Sequence, residues 1–166
     1  MARTIGIDPG SRCTGYGIVE FEGGTLRHVL NGAVQISASL DFPQRLKIIY
    51  QELTAVIDNF RPQCMAVEDV FLAKNAKSAL KLGQARGAAI LAGVNAGLPV
   101  FEYSALEIKQ AVVGYGRASK EQVIEMIQYL FALRGPINSN AADALAAAVC
   151  HLNTNASQSR WKVLKG

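Results

Sequence analysis

The sequence predicts one α/β domain on a mixed five-stranded sheet, three strands antiparallel and two parallel, with helices on both faces. Three observations predict it. Three β-rich segments follow one another across tight turns, which suits an antiparallel meander. A short, continuous apolar run then appears, of the kind a strand buried on both faces shows. A long helical segment links that run to a fifth strand, and strand, helix, strand implies a right-handed parallel crossover.

The elements follow in order. Residues 4–8 form an apolar strand that closes on Asp8, and Pro9-Gly10 turns the chain into a glycine-rich second strand over 14–19. Residues 22–25 turn again into a β-branched third strand over 26–36. Asp41 and Pro43 open a helix whose apolar positions, Leu46, Ile49, Leu53, Val56, Ile57 and Phe60, recur at helical spacing and cover one sheet face. The buried strand over 64–67 ends in Glu68-Asp69. A helix over 77–96, ended by Gly97, leads to a strand over 98–103. Two capping boxes, Ser104 with Glu107 and Ser119 with Gln122, start the next helices on either side of a loop at 114–117. A last helix over 141–148 is almost all alanine and can lie close against the sheet.

With 166 residues, half of them hydrophobic and 18% charged, the chain can bury one well-packed core. Residues 1–152 make the domain, and 153–166 are expected to be a flexible polar and basic tail. The formal net charge of +4 points weakly to an anionic partner. Cys13, Cys64 and Cys150 are far apart and odd in number, so neither a zinc site nor a disulfide framework is supported. No apolar run is long enough to cross a bilayer, and the expectation is a soluble cytoplasmic protein without a membrane partner.

Three acidic residues carry the chemistry. Asp8 alone reads equally as a turn cap or a metal ligand, but Glu68 and Asp143 occur in equally apolar settings, and only the ligand reading covers all three. If the strand ends and the last helix bring them together, cations must offset the repulsion, and oxygen-only ligands favour Mg²⁺ with Mn²⁺ as a substitute. Two such ions per site, about 4 Å apart, can activate water and stabilise the leaving oxygen in phosphodiester hydrolysis. A competing reading makes Asp8-Pro9-Gly10 and Thr14-Gly15 the phosphate loop of an actin- or sugar-kinase-like ATPase, but that fold needs a second similar half and no internal repeat is present.

From Ile5 to about His151 the sequence resembles the RuvC family of bacterial Holliday-junction resolvases. The residues that carry the resemblance are Gly6-Ile7-Asp8-Pro9-Gly10, Thr14-Gly15-Tyr16-Gly17, Val67-Glu68 with Phe71, Asn75-Ala76, Gln84-Ala85-Arg86-Gly87, Lys109-Gln110 and Ala142-Asp143-Ala144-Leu145. The resemblance implies an RNase H-like fold and a homodimer contacting through the helix with Gly83 and Gly87. It also implies paired symmetrical nicks in four-way junction DNA and the RuvA-RuvB branch-migration complex as a partner. It implies, too, that Lys109 and Lys120 lie near the scissile phosphate and that Phe71 stacks on junction bases. RuvC-like nucleases of ribosomal RNA maturation share the strand-end aspartate, but Phe71 and the basic helix favour junction DNA.

Plainer readings stand beside these. Phe71 also suits a core, and Lys74, Lys77 and Lys81 suit a solvated helix face, although phosphate contact gains weight beside an acidic site. Asn75, Arg86 and Arg117 join them as expected DNA contacts. His151 ends a helix where a cation is favoured, and no catalytic role is assigned to it. One position departs from the family. Where it usually has an acidic residue, occasionally histidine, three before the last aspartate, this chain has Asn140. Asn140 and Asp143 share a helical face and can address one ion, but an amide brings no charge, so weaker metal binding and impaired cleavage are expected. The amide is either an inactivating replacement of aspartate, leaving a junction-binding module, or a natural variant.

Overall fold

The computed structural model describes residues 2–69 and 75–164, with side chains through residue 155. The order is β1 (Ala2–Asp8), β2 (Cys13–Glu22), β3 (Thr25–Gln35), α1 (Phe42–Phe60), β4 (Cys64–Asp69), α2 (Ala76–Asn95), β5 (Val100–Ser104), α3 (Ala105–Val113), α4 (Lys120–Leu130) and α5 (Ser139–Leu164). The five strands form one sheet in the order β3-β2-β1-β4-β5. β1 pairs antiparallel with β2 and β2 with β3, while β1 with β4 and β4 with β5 are parallel. This is the predicted mixed sheet, with β1 at its centre.

Strand alternation divides the core in two. Ile5, Ile7, Met65 and Val67 point to one face, where Ile49, Leu53 and Ile57 of α1 meet Ala85, Ala89 and Ala92 of α2. Ala66 and Val19 point to the other, against Ile108, Val123, Ile127 and the alanines of α5. The caps form as their sequences dictate: Asp41 accepts from the Gln44 amide at 3.4 Å, and both capping boxes close. Thr14 fixes the turn after Asp8, its Oγ1 accepting from the Gly10 amide at 3.2 Å and donating to the Gly10 carbonyl at 2.8 Å.

Two boundaries differ from expectation. The fifth strand starts at Val100, not Leu98, because Gly97 turns through φ 76° and Leu98 N–H bonds back to the Gly93 carbonyl at 3.0 Å. Helix α5 also continues through Leu164, across the segment the sequence assigns to a tail from Asn153. Among the described residues no helix is long and apolar enough to cross a membrane.

The tightest packing is between α5 and the sheet. A β-carbon on Gly6 would strike the Ala144 carbonyl, and one on Gly15 the Asn140 carbonyl, while at Gly17 it would meet the Leu145 side chain. Glycine in the strands and alanine in the helix are therefore two halves of one contact. Replacing Gly6 by alanine should cost at least about 2 kcal/mol, since the obstructing atoms belong to a helix backbone and cannot rotate away. A urea titration should show a lower midpoint with unchanged slope.

Candidate active site

Four elements end at one edge of the sheet. β1 delivers Asp8, β4 delivers Glu68, α5 delivers Asn140 and Asp143 in its first turns, and α4 delivers Lys120 at its first residue. Ser104 ends β5 and caps α3, which brings Lys109 to the same edge. These six side chains line one open pocket of about 410 Å³, walled by Leu82, Ile108 and Val123. Asp8, Glu68, Asn140 and Asp143 converge, and Lys109 and Lys120 line the same pocket.

Burial and neighbouring negative charge raise the pKa of Asp8 and of Glu68. Burial, then the charges of Asp143 and Glu68, push Asp8 from 3.8 up to about 7, against the pull of the Asn140 amide and Lys120. Glu68 is raised as well, by burial and then by Asp143, with Lys120 and Lys109 opposing. Burial pulls the Lys120 ammonium down, but its bond to Asp143 Oδ2 at 2.7 Å and the other carboxylates hold it above its ordinary value. Asn140 Nδ2 donates to Asp8 Oδ2 at 2.9 Å.

Because Asp143 turns to Lys120 and Asp8 to Asn140, no group of three or more His, Cys, Asp or Glu among the described residues is drawn in tightly enough to grip one ion as it stands. The donor set nonetheless fits a hard divalent cation: it is all oxygen, it is negative, and burial leaves its repulsion poorly screened. Asp8, Glu68 and Asp143 would hold such an ion, with the Asn140 amide oxygen beside them once turned toward it.

The expected DNA contacts fare differently. Lys77 on α2 and Arg117 before α4 are exposed. Asn75 spends its side-chain oxygen capping α2, accepting from the Ser78 amide at 2.9 Å, and the Lys81 ammonium sits 5.6 Å from the centre of the Phe42 ring. Arg86 is a correction. Its guanidinium is committed to Glu102 and to Asp69, the latter at 3.7 Å, so it is not presented free to a phosphate. Phe71 and Lys74 lie outside the described residues. His151 is buried against Phe101, with Nδ1 bonded to the Tyr103 hydroxyl at 2.8 Å, which is a core role. Sequence reasoning missed the apolar walls and the ion pairs at Lys120 and Arg86. Their only signal was charge at helical spacing, which cannot say which partner a side chain meets.

Residues 4–151 match the Crossover junction endodeoxyribonuclease RuvC family. The chain belongs to this family. A relative from Geobacter sulfurreducens, a Crossover junction endodeoxyribonuclease RuvC, is 60% identical over 152 residues, covering 92% of this chain and 93% of the relative. Among solved structures, Thermus thermophilus RuvC in complex with a Holliday junction substrate superposes with a TM-score of 0.87 at 34% identity, covering 93% of this chain and 95% of that one. The yeast mitochondrial Holliday junction resolvase superposes at 0.73 with 14% identity, covering 98% and 82%, and shares the fold. The fold is RNase H-like, and the family is one of divalent-metal-dependent nucleases. Neither the family match nor the fold assigns a catalytic deficit to Asn140.

The raised Asp8 sets a pH dependence of stability. Between its unfolded value of 3.8 and its folded value of about 7 the folded chain holds more protons, so this group's contribution is full below pH 4 and is lost as pH rises through 7. Asp8→Asn should therefore raise the melting temperature in chelator at pH 8 and leave it nearly unchanged at pH 4. A melt that is insensitive to the substitution at pH 8 would contradict the electrostatic strain.

Proposed function

We propose that the chain binds four-way DNA junctions as a homodimer and resolves them by paired symmetrical nicks, using two Mg²⁺ per site with Mn²⁺ as a substitute. The observation that supports this best is the meeting of Asp8, Glu68, Asn140 and Asp143 with two lysines in one open pocket. Bound ions would supply an activated water and a stabilised leaving oxygen. The carboxylates hold and orient that charge. Lys109 and Lys120 offset the negative charge that develops on the scissile phosphate, and Lys120, which lines the pocket, is half-exposed. Lys77, Lys81 and Arg117 supply positive charge that retains DNA against the acidic site, and from the family resemblance Lys74 is proposed to contact junction DNA and Phe71 to stack on its bases.

Dimerisation is proposed through α2. Its outer face exposes Leu80 at 69%, Leu91 at 50% and Val94 at 53%, and beta-carbons at Gly83 and Gly87 would meet open space. A small-residue stripe flanked by bare leucine suits a second copy of the same helix, and a two-fold axis supplies the second active site that paired nicks need. The RuvA-RuvB complex is proposed as the cellular partner and the cytoplasm as the location.

Glu68→Gln should lower the single-turnover nicking rate on a synthetic four-way junction by about 10³-fold or more and leave junction affinity within a few fold. Equal loss of binding and cutting would instead make the acidic pocket part of the DNA surface. Asn140→Asp should raise the nicking rate at limiting Mg²⁺, because it adds a charged ligand. Equal rates of the two forms across the Mg²⁺ range would show that the amide serves as well as a carboxylate. Leu91→Glu should yield a folded monomer at micromolar concentration by sedimentation; a persistent dimer would move the interface elsewhere.

A further inference from the structure

Glu68 stands at a weakly supported point of the sheet. The β1 to β4 ladder ends at Ile7 with Val67, so Glu68 and Asp69 have no β1 partner, while β5 still pairs with them through Tyr103 and Ser104. Their side chains alternate. Glu68 faces the pocket with Lys109 and Lys120, and Asp69, like Met65 and Val67, faces the α1 and α2 layer. There Arg86 of α2 meets it. One guanidinium nitrogen bonds Glu102 in the middle of β5 and lies 3.7 Å from Asp69, so a single group from the helix links the end of β4 to the neighbouring strand. The Arg86 Nε is buried and has no hydrogen-bond partner among the described residues. A guanidinium in that setting is kept in place by the carboxylates it compensates.

We infer that Arg86 is a positioning residue for Glu68, holding the free end of β4 through Asp69 and tying it to β5 through Glu102. This rests on the nuclease reading above, in which Glu68 is a metal ligand. It assigns Arg86 a task distinct from phosphate contact, and the two assignments predict opposite readouts. It also differs from simple electrostatics. Removing a positive charge near an acidic site would by itself tighten cation binding, whereas losing the tether weakens it. Asp69→Asn should weaken it on either account, so the sign at Arg86 decides.

The test measures Mn²⁺ binding by calorimetry on the whole protein, alongside junction affinity in Ca²⁺ across a salt series. For Arg86→Gln the expectation is Mn²⁺ affinity reduced about tenfold, with junction affinity within about threefold and an unchanged salt slope. Adding Asp69→Asn should then cost less than the same change in the wild-type chain, because its tether is already broken. Should Arg86→Gln not fold, Arg86→Met carries the same test, since it keeps an apolar stem of similar length and removes both ion pairs. Unchanged or tighter Mn²⁺ binding overturns the inference. So does a fall in junction affinity with a salt slope reduced by about one, which marks a phosphate contact. A wild-type chain that binds no Mn²⁺ sinks the nuclease reading itself, whereas normal wild-type binding left unaltered at Arg86 sinks only this inference.

Discussion

Helix α5 lies against β1 and β2 at a distance that only glycine beneath it permits. Gly6, Gly15 and Gly17 remove the side chains that would hold the helix off, and the alanines of α5 remove them from the other side. Everything at the active edge depends on this contact. It brings Asn140 within a hydrogen bond of Asp8 although the two residues are 132 positions apart in the chain. A wider spacing would part Asp143 and Asn140 from Asp8 and Glu68. Close packing is thus the means by which a helix terminus and a strand terminus become one site.

That arrangement works against itself electrostatically. Three carboxylates are gathered where burial already disfavours charge, and Asp8 is pushed to about 7 as a result. Lys120 and Lys109 relieve part of the repulsion, and Asn140 relieves more by donating to Asp8. Stability is surrendered at this edge for the capacity to bind a cation, as is common where a site is built for charge. The cost is confined by the rest of the core, whose two halves are sealed by Ile5 and Ile7 on one side and by α5 on the other.

The sequence made the fold legible wherever one signal sufficed. The alternation and glycine turns of β1 to β3, the apolar run of β4 and the two capping boxes each have a local cause, and each element formed where its cause lies. Asp8, Glu68 and Asp143 were legible for a different reason: an acid in an apolar setting demands compensation. The basic residues were not. Arg86, Lys81 and Lys120 all read as positive charges on helices, yet one bridges two strands, one lies over an aromatic ring and one pairs with Asp143. Which of these a cation does depends on residues far away in the chain, and spacing along a helix carries no record of them.

The order in which those residues leave the ribosome has its own consequence. Asp8 is made early, Glu68 midway and Asp143 near the end, and the helix that carries Asp143 must dock on the first two strands before the acidic pocket exists. Contacts of such long sequence separation form late, after the loop-closure cost has been met. A nascent or truncated chain can therefore own the whole meander and the α1 to α2 layer and still lack the acidic pocket. On the nuclease reading proposed above, a chain that ends before α5 would therefore be unable to cut.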